Sequence, residues 1–337
     1  MTTYRDAGVD IDAGNRTVEL LSAAVKATNT PSVLSEVGAF GGLFAADNLG
    51  PGKVLVASTD GVGTKVELAA RHGRWRGVGA DLVNHCVDDI LVQGARPLFF
   101  MDYIATASLV PEIVAEIVTG MAEACQEVGC ALLGGETAEM PGVYMPGAVD
   151  IAGTIVGVVD RDALWPRTND LQEGDLLIGL ASRSPHTNGY SLIRLLLEEH
   201  EPTADMLDWL LTPHLPYIDQ VDELQAAGVD PLALAHITGG GLFENVPRVL
   251  PPHLAAEFEL GSWDVPEHFR SLVGWGDLPD AEAFRVWNMG IGMVVAVSAR
   301  QRDAVNAAGL AIIGRLTAVA EGAGDEGERV ALVGAWR

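Results

Sequence analysis

The chain has 337 residues, 48% of them hydrophobic and 20% charged, with 46 acidic against 21 basic side chains and a formal charge of −25. That length supports two ordinary domain cores, and the acidic excess argues against a nucleic-acid partner or an anionic membrane surface, both of which are held by basic patches. No run approaches the roughly 20 apolar residues of a membrane span, and Met1–Asp6 shows no basic-then-apolar signal, so a cytoplasmic chain without membrane contact is expected. The three cysteines, Cys86, Cys125 and Cys130, cannot all pair within one chain and lack zinc-ligand spacing, which makes them buried thiols.

Tyr4 to Asn15 is polar, carries two glycines and has no amphipathic period, so it is expected to be an arm or loop. From Arg16 to Ala27, apolar Val18, Leu21, Ala24 and Val25 recur at helical spacing, and Asn29-Thr30-Pro31 ends that helix. Gly38 to Phe44 is a glycine-rich connection. Val54 to Ala57 then forms a short apolar strand that runs into Ser58-Thr59-Asp60-Gly61-Val62-Gly63-Thr64-Lys65. Glycines at 61 and 63 let the backbone approach a ligand closely, Asp60 stands at the strand's exit, and Lys65 is expected to close the loop with a mobile positive charge. These are parts that phosphate chemistry uses, although the spacing is not that of a Walker loop; a hairpin turn with an exposed acid and lysine is the other reading. Only three lysines occur, Lys26, Lys53 and Lys65, so a lysine in this loop is less of a compositional accident.

The spacing predicts a helix over Gly77–Gly94, with Val78, Leu82, Val83, Cys86, Ile90 and Leu91 inward. Asp81, Asp88 and Asp89 share one azimuth of it, either as a solvated face or as acids that converge with Asp60. A strand over Pro97–Ala105 and a helix over Pro111–Val128 follow, the proline at a first helical position where its missing N–H costs little. Ala131-Leu132-Leu133 is a second short strand emptying into glycines and an acid, Gly134-Gly135-Glu136. Two strand ends that each deliver a carboxylate make a magnesium site plausible, because hard Mg²⁺ takes one or two carboxylates plus substrate phosphates. Ile151–Val159 is a further strand.

Arg161 to Gly174 has the proline, asparagine and mixed charge of a linker, dividing an N-terminal domain over 1–165 from a C-terminal one over 166–337. Asp175–Ala181 is a strand leading through Ser184-Pro185-His186-Thr187-Asn188-Gly189 to a helix ending near Glu199. Thr187 or Asn188 is expected to cap it, leaving amides and the positive dipole end beside His186; an incidental histidine in a capping turn is the alternative. Leu232–Ile237 is a strand emptying into Thr238-Gly239-Gly240-Gly241, whose successive amides suit an anion or a tight turn, before a helix over Leu242–Leu250. Strands over Ala255–Leu260 and Gly292–Val297 and a helix over Arg300–Ala308 complete an α/β unit.

Taken in order, the Tyr4–Asn15 arm, Thr59–Lys65, Asp81–Pro97, Gly134–Gly142, Ser184–Ser191 and Thr238–Gly241 resemble the phosphoribosylformylglycinamidine cyclo-ligase family, the aminoimidazole ribonucleotide synthetases of purine biosynthesis. The resemblance covers almost the whole chain; single motifs are shared with thiamine-monophosphate kinases and selenophosphate synthetases. It implies a two-domain α/β (α+β) fold. The N-terminal mixed sheet with helices forms the core of a homodimer, and the C-terminal α/β domain closes an ATP cleft. It implies ATP-dependent cyclisation of formylglycinamidine ribonucleotide, with Asp60, Asp89 and Glu136 holding Mg²⁺. Asp60, Gly61, Gly63, Thr64 and Lys65 would meet ATP, with Lys65, Asp60 and His186 taking catalytic roles. His186, Thr187, Asn188, Gly239, Gly240 and Gly241 would meet the substrate.

Two departures stand out. Where the family has a Thr-Pro-Thr-Arg-like segment the chain reads Thr212-Pro213-His214-Leu215-Pro216-Tyr217, without the basic contact, and Trp287 replaces a usual phenylalanine before Asn288. A small-molecule kinase and a non-catalytic nucleotide-binding regulatory subunit are the competing functions. The first is disfavoured by the arm and the C-terminal motifs, the second by retention of both acids and Lys65.

Overall fold

A computed structural model describes residues 11–33, 44, 49–319 and 329–336. The arm from Tyr4 to Asp10 and the connection from Gly38 to Leu43 lie outside the described residues. The chain divides into two compact units, Met1–Ile90 with Ala95–Asp162, and Leu91–Gly94 with Ala163–Arg337.

In the first unit, α1 (Ile11–Ala27) begins five residues before the expected Arg16. The remaining elements are β1 (Lys53–Gly61), α2 (Lys65–Arg71), α3 (Trp75–Leu91), β2 (Arg96–Thr106), α4 (Pro111–Glu127), β3 (Ala131–Glu139) and β4 (Val149–Asp160). The sheet order is β1-β4-β2-β3, mixed because β2 and β3 are parallel while β4 is antiparallel to both β1 and β2. Helices α3 and α4 meet where neither has a side chain: a Cβ on Gly79 would overlap the backbone of Ile117, and one on Gly120 the backbone of Arg76. That close crossing holds α3 against one face of the sheet, where Ile90 packs on Gly157. The opposite face carries exposed Leu55, Met101 and Tyr103.

In the second unit a 3₁₀ turn at Arg161–Ala163 precedes β5 (Leu176–Ala181), α5 (Tyr190–Glu199), α6 (Ala204–Leu210) and α7 (Ile218–Ala226). Then come β6 (Pro231–His236), α8 (Gly241–Asn245), β7 (Leu254–Leu260), α9 (Glu267–Gly276) and α10 (Asp280–Val286). The last are β8 (Ile291–Val297), α11 (Arg302–Ala307), β9 (Ala311–Ala318) and β10 (Val330–Gly334). The sheet order is β10-β7-β9-β5-β8-β6. β8 is buried along its whole length, which is why Ile-Gly-Met-Val-Val-Ala-Val reads as a continuous apolar run rather than an alternation. Its Met293, Val295 and Val297 join Ile178, Leu234, Val221 and Leu224 in the core. Helix α6 was not expected, although Thr203 caps it by accepting from the Met206 N–H at 3.1 Å. The expected helix over Leu242–Leu250 is instead five residues of α8 followed by a 3₁₀ turn at Val246–Val249, because Pro247 cannot donate to an α-helical ladder.

Strand β2 sends Phe100, Asp102 and Ile104 to the helix-covered face, with Asp102 in register between Gly153 of β4 and Gly135 of β3. A Cβ at Gly135 would collide with the Asp102 carboxyl. Burial pushes that carboxyl up to about 7, against about 3.9 in an unfolded chain. Between those values the unfolded chain has released the proton and the folded one retains it, so this group removes stability as pH rises from about 4 to about 7. Asp102→Asn is expected to flatten that fall and raise stability at pH 8 by roughly 1–3 kcal/mol. Urea unfolding at pH 5 and pH 8 reads it; parallel pH slopes for the variant and the parent would contradict the assignment.

Candidate active site

Alternation along β1 turns Ser58 and Asp60 toward α3. Asp60 Oδ2 lies 2.7 Å from His85 Nε2, and Asp89 Oδ2 lies 3.9 Å from the same nitrogen. Ser58 Oγ donates to Asp89 Oδ2 at 3.0 Å, and the Gly61 N–H donates to Asp60 Oδ1 at 2.7 Å. The three residues gather ligand atoms within 4.8 Å of one another. His85 is buried, whereas the side chains of Asp60 and Asp89 keep 45% and 27% exposure, so the carboxylates open outward from a closed base. Burial works to lower the His85 pKa, but the hydrogen bond to Asp60 and the charges of Asp89, Asp60 and Asp81 outweigh it and the ring is held more basic than usual. For Asp60, burial works upward and is overcome by the His85 hydrogen bond and charge and by the Gly61 amide, so its carboxyl is held lower.

The convergence of Asp89 with Asp60 follows the expectation, and His85 is the residue that sequence reasoning missed. The signal was present. Asp81, His85, Asp88 and Asp89 fall four, seven and eight residues apart on α3, a polar stripe on a helix whose middle is buried on every side, and a solvated face cannot be buried.

Two expectations are corrected. Lys65, expected as a mobile charge, is the first residue of α2 and is 1% exposed, its Nζ 2.8 Å from Oδ1 of fully buried Asp81. Burial lowers its pKa and Asp81 partly restores it. The loop before it is only Val62-Gly63-Thr64, with Gly63 at φ +55° and Val62 buried, so the lysine stem is drawn inward rather than left over the turn. Glu136, expected beside Asp60 at a strand end, lies inside β3, which continues through the glycines to Glu139. Asp60, Gly153, Asp102 and Gly135 form one register row, while Glu136 pairs with Tyr103 in the next. Neighbouring residues of a strand point to opposite faces, so Glu136 sits on the face away from α3, on the far edge of the sheet from β1.

In the second unit His186, at φ +61°, is fully buried. Helix α5 is capped by Gly189 at φ +76° with no side-chain cap bond, so neither Thr187 nor Asn188 caps it. The Asn188 N–H closes the turn on Pro185 O at 3.3 Å, and Asn288 Nδ2 donates to Ser184 O at 2.8 Å. Alongside, the Gly241 N–H donates to Thr238 O at 3.0 Å. Asn245 Nδ2 gathers Thr238 O, Gly239 O and Gly241 O within 3.3 Å. Among the described residues no backbone partner takes the Gly239 and Gly240 amides. A Cβ at Gly239 would stand 3.6 Å from Asn188 Oδ1, so the two turns are neighbours. Arg285 reaches Glu244 beside Gly240 through Nε at 2.9 Å and a terminal nitrogen at 2.7 Å.

Comparison with known proteins places the chain in a family. The chain matches the AIR synthase related protein N-terminal domain over residues 41–159 and the corresponding C-terminal domain over residues 172–325. It is 48% identical over 315 residues to phosphoribosylformylglycinamidine cyclo-ligase of Trichlorobacter lovleyi, covering 89% of each chain. It is 50% identical over 303 residues to the enzyme of that name from Nitrosococcus oceani, covering 88% of this chain and 84% of that one. Among solved structures, thiamine-monophosphate kinase from Stenotrophomonas maltophilia shares the fold at TM-score 0.68 and 19% identity, covering 94% of this chain and 97% of that one. Hydrogenase maturation protein HypE in complex with ATP does so at TM-score 0.66 and 17% identity, covering 95% and 90%.

The Lys65–Asp81 pair generates a stability prediction. Lys65→Met leaves a carboxylate in a buried site without its cation, which costs about 3–5 kcal/mol, whereas Lys65→Met combined with Asp81→Leu removes both charges and recovers most of that loss. Chemical unfolding of the two variants measures it, and a single variant as stable as the parent would show that the buried pair is not what holds α2 to α3.

Proposed function

The chain belongs to the phosphoribosylformylglycinamidine cyclo-ligase family, and from that premise we propose that Asp60 and Asp89, steadied by His85 and Ser58, form the magnesium and ATP-phosphate end of its active site. The activity is the ATP-dependent closure of formylglycinamidine ribonucleotide to aminoimidazole ribonucleotide with release of ADP and phosphate, a ligase step of purine biosynthesis. The observation that carries the site assignment is the meeting of Asp60, His85 and Asp89 at the end of β1. Hard anionic oxygens, half exposed and within reach of one ion, suit Mg²⁺ completed by substrate phosphates. When bound, the ion supplies charge neutralisation to the transferring phosphoryl group.

The chemistry asks for positioning. An amide oxygen is a poor leaving group; its phosphorylation by ATP converts it to a good one, and the neighbouring nitrogen then forms the C–N bond as phosphate leaves. Nucleophile and electrophile are in one molecule, so holding them in a reactive pose removes much of the barrier. The short Gly61-Val62-Gly63-Thr64 segment lets ATP phosphates come close to the backbone, while Lys65 secures that segment from inside through Asp81. In the second unit the Gly239 and Gly240 amides, with Thr187 and Asn188 beside them, meet the ribonucleotide phosphate, and Arg285 supplies a cation nearby. His186 shapes that turn from its buried side. Glu136 and the committed amide of Gly241 are not part of either set.

Mixing the protein with formylglycinamidine ribonucleotide, ATP and Mg²⁺ is expected to give aminoimidazole ribonucleotide and free phosphate. Asp60→Asn is expected to lower the rate by about 10²-fold or more with the circular dichroism spectrum unchanged. A phosphorylated product would indicate a kinase instead, and an unchanged rate in Asp60→Asn or under chelation would remove the metal assignment.

The homodimer belongs to the same proposal. It is supported by the sheet face bearing Leu55, Met101 and Tyr103, which are 58%, 38% and 37% exposed, since large apolar side chains left exposed on one sheet face suit an interaction surface. Light scattering is expected to give a dimer that Leu55→Glu with Tyr103→Glu converts to a monomer; a parent chain that is monomeric at micromolar concentration would contradict it. Among the described residues no helix is long and apolar enough to cross a membrane. Cytoplasmic residence is proposed with support from the three buried cysteines without disulfides, which suit a reducing compartment.

A further inference from the structure

The altered Thr212–Tyr217 segment puts a third imidazole beside the two that already stand behind the substrate turns. His214 is 1% exposed. Its ring stacks on His186 at a centroid distance of 3.9 Å and an interplanar angle of 29°, and its Nε2 lies 3.1 Å from Nε2 of His236. His186 opens the turn that ends in Thr187, Asn188 and Gly189. His236 is the last residue of β6, directly ahead of Ile237-Thr238-Gly239-Gly240. One side chain therefore touches the base of both turns. The ring it stacks on is itself confined, because Gly292 has no side chain and His186 and Tyr217 pack into that space, while Tyr217 Oη donates to Ala181 O at 3.0 Å.

An Nε2-to-Nε2 hydrogen bond needs one N–H and one lone pair. The tautomer of His214 is thus tied to that of His236: whichever ring donates, the other must present a bare Nε2 and carry its proton on Nδ1. A ring fixed in this way on one edge and stacked on one face has no independent orientation. We propose that His214 is a positioning residue that couples the His186 turn to the Thr238–Gly241 turn, so that the Asn188 side chain and the Gly239 and Gly240 amides meet one anionic group in a fixed relation. This rests on reading these turns as the ribonucleotide phosphate site. In that reading the chain replaces a direct cationic contact from the segment by rigidity supplied from behind.

Steady-state kinetics of His214→Phe, His214→Ala, His186→Ala and the double alanine variant tests it, with Gly239→Ala as the control for the site itself. The Gly239→Ala methyl enters the turn without a backbone clash. His214→Ala is expected to raise KM for the ribonucleotide roughly threefold to tenfold and leave KM for ATP unchanged, with His214→Phe, which keeps the stack, recovering part of the loss. The double alanine variant should be no worse than the worse single one, because both act through one turn. Multiplying effects, or equal changes in both Michaelis constants, would overturn the coupling. If Gly239→Ala raises KM for the ribonucleotide and His214→Ala does not, the coupling alone fails; if neither does, the phosphate-site reading fails with it. Should the alanine variants unfold, nitrogen-15 spectra of the parent decide: one protonated and one bare Nε2 in the His214–His236 pair are expected, and two protonated Nε2 atoms would overturn the proposal.

Discussion

The first unit is organised by a requirement that α3 cannot avoid. Its middle is covered on every side, yet it carries Asp81, His85, Asp88 and Asp89, and a buried charge without a partner is among the costliest features a fold can hold. The fold meets the requirement with groups from other elements: Lys65 from the start of α2 for Asp81, and Asp60 and Ser58 from β1 for His85 and Asp89. The glycine contact between α3 and α4 then matters for chemistry as well as packing, because it sets how closely the stripe lies over the sheet. Ion pairing at the back and two outward carboxylates at the front are consecutive parts of one polar seam.

The second unit solves a different problem, that of holding two neighbouring tight turns without leaving the backbone loose. Left-handed residues at His186, Gly189 and Gly240 bend the chain, and side chains hold the bends from behind. Asn245 collects carbonyls of the glycine turn, Asn288 ties Ser184, and the stacked and hydrogen-bonded imidazoles fill the space between. On the proposed reading of these turns as the phosphate site, such fixed amides need little reorganisation when charge arrives. A net charge of −25 supplies no general attraction for phosphate, so any phosphate site on this chain has to be built locally.

Much of this was legible before any coordinates. Periodicity placed the helix over α3, the strand over β2 and the helix over α4 to within a few residues, because amphipathic period and proline position act locally. Helix α6 was missed although Thr203 announced it. The Leu242–Leu250 segment was read as one helix although Pro247 breaks it. The order of strand and helix leaves Asp81, Asp88 and Asp89 as acids that can converge with Asp60, and only the family resemblance singles out Asp89. His85 is not among the residues that the sequence singles out on this helix. What gives it significance is Asp60, which is 25 residues earlier in the chain.

The sequence by itself determined the fold class, the family and the presence of acids at the end of β1 and on the following helix, since those depend on short-range pattern and motif order. Only tertiary structure decided which way the side chains face. Lys65 turned inward because a carboxylate from sixteen residues away needed it. Glu136 fell on the other face because β3 runs on through its glycines, and a one-residue step along a strand reverses direction. His214 came to stand against His186 and His236 because packing brought three imidazoles from separate segments together. Each of these outcomes is fixed by burial and register between distant segments, and no local window of the chain contains both partners.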